Sequence, residues 1–290
     1  MANPERDELS GVETTGHEWD GIKELNNPLP RWWLWTLYGT MLWAAGYAVL
    51  YPALPGLTTN SKGLWEWSSR ADLRQELAAQ DVLRGEVSAK LAAADINGIL
   101  GDAQLREFAV AAGASTFKVN CVQCHGSGAQ GGPGFPNLND DSWIWGGTPE
   151  QILQTIAHGI RSADDPATRD SQMPAFGRDQ VLNPTQINDV THQVSKLAGL
   201  EHDAKAAEAG VTVYADNCAA CHGPAGEGNI DLGAPQLSDD VWFYGSTPAQ
   251  ISAQVTLPKH GMMPAWQSRL GDVKVKQLTA YVLSLGGGQK

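Results

Sequence analysis

The chain has 290 residues, and its 32 acidic against 20 basic side chains give a formal charge of −12. That length holds about two ordinary domains. The acidic balance argues against binding a phosphate backbone, so no nucleic-acid partner is expected, whereas a basic partner surface would be steered toward the chain.

Residues 1–30 form a polar N-terminal segment. Between Arg31 and Lys62 there follow 30 residues without an Asp, Glu, Lys or Arg, including "WWLWTLYGTMLWAAGYAVLY" at 32–51. Twenty helical residues at about 1.5 Å each match the roughly 30 Å hydrocarbon core of a bilayer, so 31–54 is read as one transmembrane helix embedded in membrane lipid. Trp32, Trp33 and Trp35 at one end and Tyr47 and Tyr51 at the other suit the membrane interface, and Pro52 and Pro55 stop the helix. A cleaved signal peptide would start nearer the terminus and end in a small-x-small site. The small residues Gly39, Ala44, Ala45 and Gly46 offer a face for a neighbouring membrane helix. Residues 55–102 read as a connector, in which 71–98 is either a helix pair interrupted near Gly85 or a partly ordered spacer.

Beyond the connector the chain repeats itself. "AAGASTFKVNCVQCHG" (111–126) aligns with "EAGVTVYADNCAACHG" (208–223), "PNLNDDSWIWGGTPEQI" (136–152) with "PQLSDDVWFYGSTPAQI" (235–251), and "QMPAFG" (172–177) with "MMPAWQ" (262–267). The repeats predict two modules, 103–200 and 201–290. Helices are expected over 103–120 and 203–217, from Thr148-Pro149 and Thr247-Pro248 with Thr as N-cap, and over 184–198 and 272–285. No strand pattern competes.

The four cysteines stand as two Cys-x-x-Cys-His motifs, Cys121/Cys124/His125 and Cys218/Cys221/His222. Zinc ligation and a redox dithiol are the other uses of such pairs. Zinc would not require His after both pairs, and a thioredoxin-like site would need a βαβ setting. Two thiols one helical turn apart, followed by an imidazole, suit covalent haem c, with His125 and His222 as axial ligands of two haem irons. An electron-carrying iron is six-coordinate. Of five Met, Met1 is terminal and Met41 lies in the anchor, which leaves Met173 and Met263, both followed by Pro at equivalent repeat positions, as the sixth ligands. Spacing leaves open whether each Met serves its own module, the default, or crosses to the other. Met262 is expected in the core. His158 and His260 recur before the Met turns and are expected chiefly to satisfy local hydrogen bonds, while Trp143, Trp145, Trp242, Tyr244 and Trp266 are expected to wall the haem clefts. Arg161 and Arg178 are read as solvated surface residues. The fold class is therefore all-α, one N-terminal transmembrane helix followed by two tandem class I cytochrome c domains. Because thioethers form outside the bacterial cytoplasmic membrane, residues 57–290 are placed in the periplasm and 1–30 in the cytoplasm.

The block "HEWDGIKELNNPLPRWWLWTLYGTMLWAAGYAVLYPALP" (17–55), with "WSSR" (67–70) and the two motif-bearing modules, resembles the dihaem subunit family of cbb3-type cytochrome c oxidase of the bacterial inner membrane. The resemblance implies a non-catalytic electron relay, taking electrons from cytochrome c or the cytochrome bc1 complex to a monohaem subunit and then to the haem-copper subunit that reduces oxygen. A dihaem peroxidase, an anchored shuttle and a dehydrogenase cytochrome subunit are the alternatives.

Overall fold

A computed structural model describes residues 5–288; Met1 and the two outermost ends of the chain lie outside the described residues. The chain divides into two compact units, Met1–Leu83 and Arg84–Lys290.

The first unit opens with an antiparallel hairpin, β1 (Thr14–Trp19) and β2 (Ile22–Leu25), in which Trp19 pairs with Ile22 and Glu18 with Lys23. This corrects the expectation of an all-helical chain. Asp20 and Gly21 both have positive φ, 48° and 84°, which is the two-residue turn that Asp-Gly favours and that matches the twist of paired strands. Helix α1 (Arg31–Leu50) buries none of its residues within the chain, although Trp32, Trp35, Leu42 and Trp43 are all more than two-thirds exposed. No helix among the described residues is long and apolar enough to cross a membrane. In α1, Trp, Tyr, Thr and Gly together occupy half of the 20 positions and hold its hydropathy below that of an aliphatic span. After α1 the chain folds back, with Trp65 and Trp67 set edge-on to Tyr51 at 5.0 and 5.7 Å.

Helix α2 (Ser69–Ala93) links the two units and runs unbroken through Gly85, against the predicted interruption. A mid-helix Gly costs about 1 kcal/mol relative to Ala, and the surrounding Ala, Leu, Arg, Gln and Glu outweigh it. Short α3 (Ile96–Gly101) follows, its first turn capped by Asp95.

The second unit then holds two copies of one arrangement. Helices α4 (Ala103–Asn120), α5 (Val122–His125), α6 (Pro149–His158) and α7 (Pro184–Leu197) come from the first repeat, and α8 (Ala204–Asn217), α9 (Ala219–His222), α10 (Pro248–Thr256), α11 (Gln267–Leu270) and α12 (Asp272–Ser284) from the second. Thr148, Asn183 and Thr247 form capping boxes with Gln151, Gln186 and Gln250, and Pro occupies the first turn each time. These starts agree with the sequence reading.

The packing crosses between repeats. Helix α12 lies along α4 and α6, while α7 lies along α8 and α10. One core joins Phe117, Ile152 and Ile156 to Val275, Leu278, Val282 and Leu283. The other joins Phe176, Ile187, Val190 and Val194 to Tyr214, Ile251 and Val255. Both crossings rest on a glycine in the same repeat position: a β-carbon on Gly113 would stand 2.2 Å from Gln277 O, and one on Gly210 would stand 2.2 Å from Asp189 O. A third cluster, Leu91, Ile99, Leu105, Ala109 and Ala280, seats α12 on the connector, where Lys276 Nζ donates to Ala92 O and Ala94 O. Sequence repeats and packed cores thus partition the chain differently.

Candidate functional site

Each Cys-x-x-Cys-His motif lies at a helix-to-helix junction. Cys121 and Cys218 end α4 and α8, and the single turns α5 and α9 carry the second cysteine and the histidine. The chain leaves each His through a Gly of positive φ, Gly126 at 79° and Gly223 at 78°. It returns so that Pro136 O lies 3.1 Å from His125 Nδ1 and Pro235 O lies 2.9 Å from His222 Nδ1. A carbonyl accepts only, so Nδ1 carries the proton in both rings and Nε2 keeps its lone pair free for a metal. Burial, opposed by the carbonyl bond, holds both imidazoles below the ordinary histidine pKa, which favours the neutral ring at pH 7.

Burial also pushes the Cys121 and Cys218 thiols up to about 11, with the neighbouring Cys124 and Cys221 adding to the shift. Both are protonated thiols at pH 7.

One continuous cavity is lined by both motifs and by Met173 and Met263. Its walls are largely apolar and include Trp143, Trp145, Trp242, Tyr244 and Trp266, as the sequence suggested. Met263 packs with Cys121 and Phe117 in the first core, and Met173 with Cys218 and Tyr214 in the second. Each methionine therefore shares a core with the cysteines of the opposite repeat. Two buried indole N–H groups, Trp143 Nε1 and Trp242 Nε1, have no acceptor within the protein. They occupy equivalent repeat positions and line the same cavity. A buried donor left unpaired costs about 1–3 kcal/mol, and a bound group with carboxylate arms, as haem has, would satisfy both. The residues present fit that cofactor.

Other sequence expectations divide. His158 bonds Asp165 Oδ2 at 3.0 Å, a local role, whereas His260 lines the cavity. Met262 is 66 % exposed and lines the cavity, so it is not the core residue expected. Arg178 is exposed and pairs with Asp179, as expected, but Arg161 is a cavity residue: it donates from Nε to Gly261 O and from Nη1 to Ser171 O, both at 2.7 Å. Also unforeseen is a reciprocal contact, Trp145 against Gly233 and Tyr244 against Gly134. Its signal was available, since both aromatics and both glycines are repeat equivalents.

Crossed N- and C-terminal helices, a Cys-x-x-Cys-His junction and a methionine turn facing one apolar cavity define the cytochrome c class. Comparison with known proteins narrows this. The family model for cytochrome c oxidase, cbb3-type, subunit III matches residues 108–192 and 205–282, and that for the N-terminal domain of cytochrome oxidase-cbb3, FixP, matches 11–58. The cbb3-type cytochrome c oxidase subunit FixP of Sinorhizobium medicae is 54 % identical over 283 residues, covering 98 % of this chain and 97 % of that protein. Subunit FixPc of Rhizobium leguminosarum bv. viciae is 54 % identical over 288 residues, 99 % and 100 % of the two chains. Subunit CcoP of Cereibacter sphaeroides is 47 % identical over 276 residues, 95 % of each. The chain belongs to the cbb3-type cytochrome c oxidase subunit III family.

Proposed function

We propose that this chain is the membrane-anchored two-haem relay subunit of a bacterial cbb3-type oxidase, passing electrons from cytochrome c or the bc1 complex to a monohaem subunit and on to the haem-copper subunit. It is an electron-transfer component of an oxidoreductase complex and not the site of oxygen reduction. The observation that carries this reading is the pair of Cys-x-x-Cys-His junctions opening, each with a methionine turn, into one shared cavity. Haem c, bonded to Cys121/Cys124 and to Cys218/Cys221, would supply a one-electron iron couple at each junction.

The protein's own groups set the properties of those couples. His125 and His222, held by the proline carbonyls, would offer Nε2 to the irons. Met263 would help to hold the haem bonded at Cys121/Cys124, and Met173 the one bonded at Cys218/Cys221, each crossing from the other repeat. Thioether sulfur and the apolar wall both raise the potential. With a methionine turn at each junction, neither iron is left the open position that the peroxidase reading needs. Both sites line one cavity, which would let two bound haems exchange electrons within the unit, and the acidic surface suits a basic donor.

Helix α1 supports anchoring. Its 20 residues are about as long as a bilayer core is thick, it buries nothing within the chain, and its low hydropathy suits a helix covered partly by neighbouring membrane subunits. Under this reading residues 57–290 stand in the periplasm and 1–30 in the cytoplasm.

Purification from membranes in a mild detergent tests the assignment. Two covalent c haems on this polypeptide, with non-covalent b haems and copper on companion chains, are expected. A chain isolated without a haem-copper partner, or holding one haem, overturns it. Deleting residues 1–56 behind a secretion signal should release a soluble dihaem protein, and retention in the membrane pellet would count against α1 as the anchor.

A further inference from the structure

The two repeats differ where they approach the methionines. From Ile152 to Met173 the first repeat takes 21 positions, and from the aligned Ile251 to Met263 the second takes 12, so the first carries nine extra residues. Arg161 stands in that longer stretch, where the second repeat has no arginine. Its φ of 51° lies in the left-handed region, uncommon for a residue with a β-carbon.

Its surroundings hold it there. Ile160 exchanges two backbone hydrogen bonds with Met263, both 2.9 Å, and Arg161 N–H donates to Arg169 O at 2.8 Å. From this fixed point the guanidinium reaches in two directions, Nε–H to Gly261 O and Nη1–H to Ser171 O, each at 2.7 Å. Gly261 is two residues before Met263, and Ser171 is two residues before Met173. No ion pair involves Arg161 among the described residues.

We propose that Arg161 is a positioning residue that sets both methionine turns at once, its planar fork fixing the sulfur offered to each iron. The inference rests on the reading of Met173 and Met263 as ligands. A guanidinium holds two donors in a rigid plane, which a lysine ammonium on a flexible stem does not reproduce. Lysine would keep the charge and lose the double tether. The strained backbone is what aims the fork, since it turns the side chain back between the two turns that the extra residues would otherwise leave independent.

The test uses the full chain purified with its haems, as R161Q and R161K. Two quantities are read: the methionine-sulfur to ferric-iron charge-transfer absorption per haem, and the reduction potential of each haem by titration. Both variants are expected to keep two covalent haems and the helical far-ultraviolet spectrum. Both should lose most of the charge-transfer band at both sites and show at least a tenfold fall in each reduction constant, which is 59 mV for a one-electron couple. R161K carries the test if R161Q does not accumulate. A response confined to one haem, no response, or an R161K indistinguishable from the parent overturns the proposal, the last because charge alone would then suffice. A parent protein without the band overturns the methionine reading itself, while a band that persists in both variants overturns only the role of Arg161.

Discussion

Met173 and Met263 occupy equivalent places in the two repeats, and nothing local distinguishes ligation within a repeat from ligation across. The candidate cysteines, histidines and methionines stand out because each recurs in a fixed local context. Which sulfur faces which iron depends on packing between helices far apart in sequence. The crossed arrangement predicts that, in a chain whose only haem is on Cys218 and Cys221, Met173→Ala abolishes the methionine charge-transfer band and lowers the reduction constant roughly tenfold or more, about 59 mV. Met263→Ala should leave that band in place; the reverse result would restore ligation within each repeat. The tryptophans give a second prediction. If Trp143 Nε1 donates to an ionised carboxylate of the cofactor, Trp143→Phe removes a charge-assisted bond of about 1.5–3 kcal/mol. Thermal unfolding of the holoprotein should show that loss, and a variant as stable as the parent would mean that the indole finds no partner.

Among the elements, helix starts were the most legible feature, since Thr148-Pro149 and Thr247-Pro248 announce a cap whose reciprocal glutamine follows three residues on. The hairpin was missed because its strands are mostly polar and solvent-facing, so Asp20-Gly21 was the only strong signal. Gly113 and Gly210 were seen to correspond, but their purpose required the partner helix. Gly113→Ala or Gly210→Ala would gain about 1 kcal/mol of helix propensity and lose about 1–3 kcal/mol or more to overpacking. Because the atom encountered at 2.2 Å is a backbone carbonyl that cannot rotate aside, the loss dominates, and each variant should melt a few degrees lower. Melting at or above the parent temperature would show that the helices can separate freely. The cap of α8 gives a pH dependence. The backbone N–H groups of Ala206 and Lys205, bonded to Asp203 Oδ1 at 2.9 Å, hold its carboxyl below the ordinary value. Folded Asp203 therefore binds its proton less readily than unfolded Asp203. Its contribution is present above about pH 4 and fades as pH falls through the lowered pKa. The stability difference between the parent and Asp203→Asn should shrink on acidification in that window; a constant difference would separate the cap from its charge.

For the whole molecule, the crossing means that neither repeat contains a complete core. The first core takes Val275, Leu278, Val282 and Leu283 from α12, and each such side chain contributes about 1.5–3 kcal/mol when fully buried. Together that is about 6–12 kcal/mol, comparable with the entire net stability of a typical domain, about 5–15 kcal/mol. A fragment of residues 84–200 would leave α4 and α6 without α12, and α7 without α8. Expressed with its single motif, it should lack a cooperative unfolding transition and be degraded rapidly by protease. Residues 84–290 should instead unfold in one transition reported equally by both haem spectra, and a cavity made in one core, such as Leu278→Ala, should lower the unfolding free energy read at both sites by about 2–5 kcal/mol. Two separated transitions, or a folded 84–200 fragment with methionine-ligated iron, would show that the repeats fold independently and that the crossed packing is dispensable. The sequence invites that simpler picture because duplicated modules commonly close on themselves, whereas here the linkage between the halves is carried by helix faces that meet across the repeat boundary, some, as Gly113 and Gln277, more than 150 residues apart.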